Sequence, residues 1–340
     1  MSETGLLEDE ELAAVPPGRE AIKGDLTQGP ILRTLVLFSL PALFANLLQT
    51  MGGTINTIWV GQLLGEEALA ATANANIVVF LAFAFVFGFG MAATVKIGHY
   101  FGARDIESAR RIFGTGTGFC LVIALLVAVF GWLFTGPLLH LLATPASILD
   151  QAHAYTQVSF LSMPFSTLGM MTTMALRGAG DARTPFYSMI VSTILGIALN
   201  PVFILGMGPA PQLGIAGSAL ANAVASLGGA LYVIVWAYWR DLPLRLRGPE
   251  LGYLKPAGAE FRYILTKGVP MGAQMLINSG SAFIMIWLVN REGLLTTAAY
   301  GAVLQIWNYV QMPSFAISMA VSAMVAQNVG AGHHGRVGRI

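Results

Sequence analysis

Apolar residues run along this chain in eight long blocks, at about Ile31–Val60, Leu69–Ile97, Ile112–Leu142, Gln151–Leu176, Pro185–Met207, Gln212–Trp239, Tyr263–Val289 and Thr296–Ala326. As a helix rising 1.5 Å per residue, each is long enough to cross a hydrocarbon layer of about 30 Å. Helices buried inside a large soluble domain are the alternative, and the placement of charge decides against them. All 17 carboxylates lie in the N-terminal tail, in a connection or at the end of a block. The predicted fold class is therefore all-α, a polytopic transmembrane helical bundle.

Basic residues test the span number independently, because loops on the cytoplasmic side retain Lys and Arg. Every lysine and arginine except Arg291 falls in the tail, at the start of the first block, in or beside the second, fourth and sixth connections, or in the C-terminal stretch. An error of one span would scramble this alternation. Both ends of the chain are accordingly expected on the cytoplasmic side.

Composition narrows the class further. Of 340 residues 55% are hydrophobic and 10% charged, and the mean hydropathy is +0.68, far above that of a water-soluble domain. The net charge of +1, without a basic block, excludes nucleic acid as a partner; the bilayer and small molecules remain. Cys120 stands alone in an apolar stretch, which excludes a disulfide framework and a thiolate metal site. Residues 1–25, with Glu8, Asp9, Glu10 and Glu11, read as a disordered cytoplasmic tail rather than a secretory signal. Residues 241–262, rich in Pro and charge, read as a linker between residues 26–240 and residues 263–340. In the turn Gly178-Ala-Gly-Asp-Ala-Arg-Thr-Pro185, Thr184 is placed to cap a helix and Pro185 to open it. Pro164 and Pro313 fall deep inside blocks and are candidate hinges.

The chain also repeats itself. Pro41-Ala-Leu-Phe-Ala-Asn-Leu-Leu-Gln matches Pro270-Met-Gly-Ala-Gln-Met-Leu-Ile-Asn. One gap later, Trp59-Val60 matches Trp287-Leu288 and Phe101-Gly102-Ala103 matches Val329-Gly330-Ala331 at a constant offset. Six spans separate equivalent helices, an even number, so the repeat is parallel and its axis runs along the membrane normal. The expected architecture is a six-helix lobe at 26–240 followed by the first two helices of a second lobe at 263–340. On that reading the chain represents about two thirds of a twelve-helix plan.

The Pro41 helix ending in Trp59-Val60-Gly61, the Gly98-His-Tyr-Phe-Gly-Ala-Arg104 loop with Arg110-Arg111, Arg177-Gly-Ala-Gly-Asp181, Asn200-Pro-Val-Phe203 and Leu213-Gly-Ile-Ala-Gly217 together resemble the multidrug and toxic compound extrusion (MATE) family. The resemblance covers about Gly24 to the end. It implies two six-helix lobes around a central cavity in a bacterial inner membrane, and export of organic cations, drugs or other amphipathic compounds in exchange for H⁺ or Na⁺. It implies no other cofactor, and a monomer if the chain is full length. Three positions where members carry acidic residues are Asn56, Asn200 and Asn278 here. An asparagine carbonyl can coordinate Na⁺ but cannot carry a proton.

Uncharged polar residues inside the spans need partners, so they face the bundle or a wet cavity. Asn46, Gln49 and Asn56 recur at helical spacing in the first block, Gln274, Asn278 and Ser281 in the seventh, and Gln305 and Asn308 in the eighth. These stripes, with Asn200, are the candidate substrate or ion pathway; interhelical hydrogen bonding is the structural alternative. Asn74, Asn76 and Asn222 are assigned to that interhelical hydrogen bonding. The five histidines share no face with a carboxylate, so no metal site is expected. A related lipid-linked oligosaccharide flippase is the second reading; its anionic substrate calls for Lys or Arg at depth, and the spans hold none beyond their ends. An intramembrane enzyme is excluded by the lack of a nucleophile, acid or metal cluster at depth.

Overall fold

The computed structural model describes residues 24–142, 144–207, 211–256, 258–291 and 294–340; within these, the side chains at 85, 282, 283, 286, 287, 290, 294–298, 301, 302, 305 and 308 are outside the description. The acidic tail expected at 1–25 therefore lies outside the described residues up to Lys23.

The long helices are α1 (Ile31–Leu64), α2 (Glu66–Gly102), α3 (Ile106–Leu133), α5 (Leu149–Gly178), α6 (Arg183–Leu205), α7 (Ile215–Trp239), α8 (Gly258–Arg291) and α9 (Leu294–Gly330). Two short ones, α4 (Thr135–Leu141) and α10 (His334–Val337), complete the α-helices among the described residues. The block expected as one segment at Ile112–Leu142 is thus two helices. Pro137 explains the break, because a proline ring clashes with the carbonyl four residues back, here that of Leu133, the last residue of α3. The cap of α6 is also corrected. Asp181, not Thr184, accepts from Arg183 N (2.9 Å) and Thr184 N (3.0 Å), with the Thr184 hydroxyl donating to its second oxygen at 2.6 Å. Replacing Asp181 with alanine leaves those donors unpartnered and is expected to cost about 1 kcal/mol, read as a lower melting temperature in detergent.

Among the described residues, six helices are long and apolar enough to cross a membrane: α1, α2, α3, α6, α7 and the Tyr309–Gly330 part of α9. The other two, α5 and α8, are as long but more polar. In α5 the polar residues are absorbed locally, since Thr156, Ser159, Ser162, Thr172 and Thr173 all donate to carbonyls of their own helix. That suits its position, packed against α2, α3 and α7 at the centre of the bundle. In α8 the extra polarity sits at its start, with Glu260, Arg262 and Lys267.

The connections predicted to share a side do meet. Arg104 pairs with Asp25 at 3.6 Å, and Arg110 bonds the Pro243 carbonyl at 2.6 Å and Glu250 at 2.7 Å. The Arg247 backbone N–H and then Arg110 hold the Glu250 carboxyl below the usual carboxylate range. Gly114 and Gly118 seat this connection on α3, where an added Cβ would collide with Tyr253 and with the Leu254 carbonyl. All of these contacts gather at one end of the bundle, called the basic end below.

Consecutive helices α8 and α9 barely touch. Instead α8 packs on α2 while α9 packs on both α1 and α2. Repeat-related pairs thus make related contacts, α2 with α8 and α9 with α1, and α2 crosses α9 between them. At that crossing Gly102 is pressed on the Gln327 carbonyl and Gly330 on the His99 carbonyl. Gly102 and Gly330 are repeat partners, as are His99 and Gln327, so the crossing has the two-fold character the parallel repeat requires.

Candidate functional site

The two sides of the crossing differ. Between α2 and α8, Gly88 meets the Gly272 backbone and Gly268 meets Phe89 so closely that no Cβ fits at either glycine. Small residues permit this approach. The repeat partners of Gly88, Gly268 and Gly272 are Ala316, Ser39 and Leu43, each with a side chain. Past these positions, away from the basic end, α1 and α9 flank a cavity of about 360 Å³ lined by Asn46, Gln49, Thr50, Tyr309, Gln311, Met312 and Phe315.

Burial along α9 locates the cavity relative to the two ends. Beyond Pro313, Ala316, Ala320, Ala323, Met324, Ala326, Gln327 and Asn328 are buried. Before it, Val303, Ile306, Trp307, Tyr309 and Val310 are exposed. Among the described side chains, α9 is packed at the basic end and exposed toward the other. The proline removes one ladder hydrogen bond where that change occurs. Pro164, the other hinge candidate, lies within the continuous α5.

A second polar group forms inside the first half. Asn56 Oδ1 accepts from the Ser218 hydroxyl at 2.9 Å and from Asn222 Nδ2 at 3.5 Å, joining α1 to α7. Nearby in the bundle, Tyr155 OH donates to Asn76 Oδ1 at 3.5 Å, joining α5 to α2. Asn200, only 1% exposed, donates to the Gly196 carbonyl at 3.1 Å, while its own Oδ1 has no hydrogen-bond partner among the described residues. An amide oxygen of this kind has the chemistry to accept a hydrogen bond or a cation, and nothing in it can titrate.

The sequence-predicted residues therefore divide. Asn46 and Gln49 line the cavity, Asn56 joins the α1–α7 cluster, and Asn200 is buried in α6. Gln274, Asn278 and Ser281 are exposed on α8, with Ser281 donating to Ile277 O. The side chains of Gln305 and Asn308 lie outside the described residues. Asn222 and Asn76, assigned from the sequence to interhelical hydrogen bonding, make such bonds, to Asn56 and from Tyr155. Ser218 and Asn222 stand one helical turn apart, a two-residue signal too short to separate from packing. Among the described residues no group of three His, Cys, Asp or Glu side chains is placed to hold a metal.

Comparisons with known proteins bear on this geometry. The family model described as MatE matches residues 41–202 and 270–340. A probable multidrug resistance protein of Bacillus subtilis, YoeA, is 37% identical over 308 residues, which cover 91% of this chain and 66% of that protein. The chain thus spans just under two thirds of that relative. An FAD transporter of Shewanella oneidensis is 27% identical over 90% of this chain and 67% of its own length. Among solved structures, MATE in the bent conformation superposes with a TM-score of 0.85 at 21% identity, covering 94% of this chain and 70% of that one. An outward-facing multidrug resistance MATE family transporter of the MOP superfamily superposes with a TM-score of 0.80 at 22% identity, with the same two coverages.

Proposed function

The chain belongs to the MatE family, and on that basis we propose that it is a secondary active transporter that exports organic cations, drugs or other amphipathic compounds through the cleft between α1 and α9. The observation that carries this reading is the cavity itself. Amide, hydroxyl, aromatic and thioether groups surround it without a fixed charge, a lining that accepts varied amphipathic molecules and favours none by ion pairing. No basic side chain is among its described lining residues, which favours this reading over the flipping of an anionic lipid-linked sugar.

Residues 26–240 then act as one lobe and α8 and α9 belong to another, with the basic end on the cytoplasmic side of the bacterial inner membrane. Exchange with Na⁺ or H⁺ drives the cycle. The Asn56, Asn200, Ser218 and Asn222 groups suit Na⁺, since their oxygens coordinate cations and carry no proton. If H⁺ is the driving ion, its carrier is another group, because each described carboxylate sits in a connection or within the first turn of a helix.

The test is ethidium efflux from proteoliposomes containing the full chain, under an imposed Na⁺ gradient or pH gradient. Efflux at least about fivefold above protein-free vesicles with one of the two is expected. Efflux indifferent to both sinks the antiport reading.

A further inference from the structure

The segment leading into α1 is clasped by two consecutive side chains of α9. Leu26 N donates to Gln327 Oε1 at 2.9 Å, and the Leu26 carbonyl accepts from Asn328 Nδ2 at 3.3 Å, so both backbone groups of one residue are engaged. The Leu26 side chain is buried with Phe38, Ala182, Ala320, Ala323 and Met324. Gln327 reaches further, donating through Nε2 to the Gly178 carbonyl at the end of α5 at 3.1 Å. Gln327 is 1% exposed, and its side-chain amide is used on both sides. Its own carbonyl is the surface on which Gly102 of α2 rests, and Gly180 abuts both Gly24 and the Gln327 amide. Four separate parts of the chain therefore meet on one residue, at the basic end, below a cleft that is open toward the other end.

We propose that Gln327 is a positioning residue for transport: it pins the segment before α1 and the end of α5 to α9, and its release is the step that opens the basic end. The proposal rests on the exporter reading, which needs each end to open in turn. Buried amide hydrogen bonds suit a reversible pin. They are strong enough to be satisfied only in one geometry and can be exchanged for water when the helices part. The Gly102 and Gly330 contacts make the closure two-state, because backbone surfaces in contact at a crossing either fit or separate.

Ala323 lies among Met91, Thr94, Arg177 and Met319, is 5% exposed and packs with Leu26, so it serves as a reporter when replaced by cysteine; native Cys120 is buried. In sealed vesicles, a membrane-impermeant maleimide applied from the side of the basic end should label Ala323→Cys at least tenfold faster when Gln327→Ala is added. Gln327→Glu keeps the acceptor for Leu26 N–H and loses the donor to Gly178, so a smaller rise is expected. Gly330→Ala opens the same contact independently, by forcing a methyl against the His99 carbonyl, and answers the question should the Gln327 variants not fold. Labelling within twofold of the parent in the folded variants overturns the proposal, whatever happens to efflux. A rise in labelling in a protein that exports nothing leaves the pin standing and sinks the exporter reading instead.

Discussion

Gly102→Val is expected to reduce efflux to the level of protein-free vesicles and to lower the melting temperature in detergent by several degrees. The reason lies in what the new atoms meet. A Cβ at residue 102 would overlap the Gln327 carbonyl oxygen, and that carbonyl belongs to a helix backbone that cannot rotate aside as a side chain can. Overpacking of this kind typically costs about 1–3 kcal/mol, and valine adds two methyl groups beyond the Cβ. Because α2 and α9 cross here on the repeat axis, the strain is relieved only by moving the two helices apart, which also separates Gln327 from Leu26 and Gly178. Gly53 of α1 provides the control. It is exposed, and a Cβ there meets nothing within 4 Å. Gly53→Ala should leave efflux unchanged and raise stability slightly, since glycine is worth up to about 1 kcal/mol less than alanine inside a helix. Equal losses in both variants would show that glycine flexibility, not the crossing, matters.

The constant offset between Phe101-Gly102-Ala103 and Val329-Gly330-Ala331 made this crossing partly legible in the sequence. The repeat identifies both glycines as equivalent, and the two-fold packing of each on the other helix's backbone follows from that equivalence. Most of the helices were legible too, because a run of about 25 apolar residues leaves one solution in a bilayer. The division of Ile112–Leu142 was also written there, in Pro137, and was hidden by the apolar residues on both sides of it. Other features leave no local trace. Gln327 and Leu26 are 301 positions apart, and nothing near either residue announces the pair. Asn56 looked like one member of a stripe on α1, yet its partners are Ser218 and Asn222 on α7, whereas Asn46 and Gln49 face a cavity shared with α9. One helix face therefore serves two environments, and only the arrangement of neighbours divides them.

Asn56→Asp is expected to make efflux respond to a pH gradient. The two groups that donate to Asn56 Oδ1, the Ser218 hydroxyl and Asn222 Nδ2, would donate equally to a carboxylate oxygen. These bonds favour the charged form, while removal from water favours the neutral one. An introduced carboxyl held between those pulls takes up a proton when the cleft faces the more acidic solution and releases it to the other. Efflux should then rise at least about threefold when the vesicle exterior, on the side that receives the exported dye, is made acidic, and should fade at pH low enough to keep the carboxyl protonated throughout. Asn56→Leu, which can do neither, should lose the Ser218 and Asn222 bonds at about 1–3 kcal/mol for the stranded partners and gain no pH response. If the aspartate variant instead ignores the pH gradient while remaining folded and active, this position is no part of the coupling path, and the α1–α7 hydrogen bonds serve only to hold the two helices together.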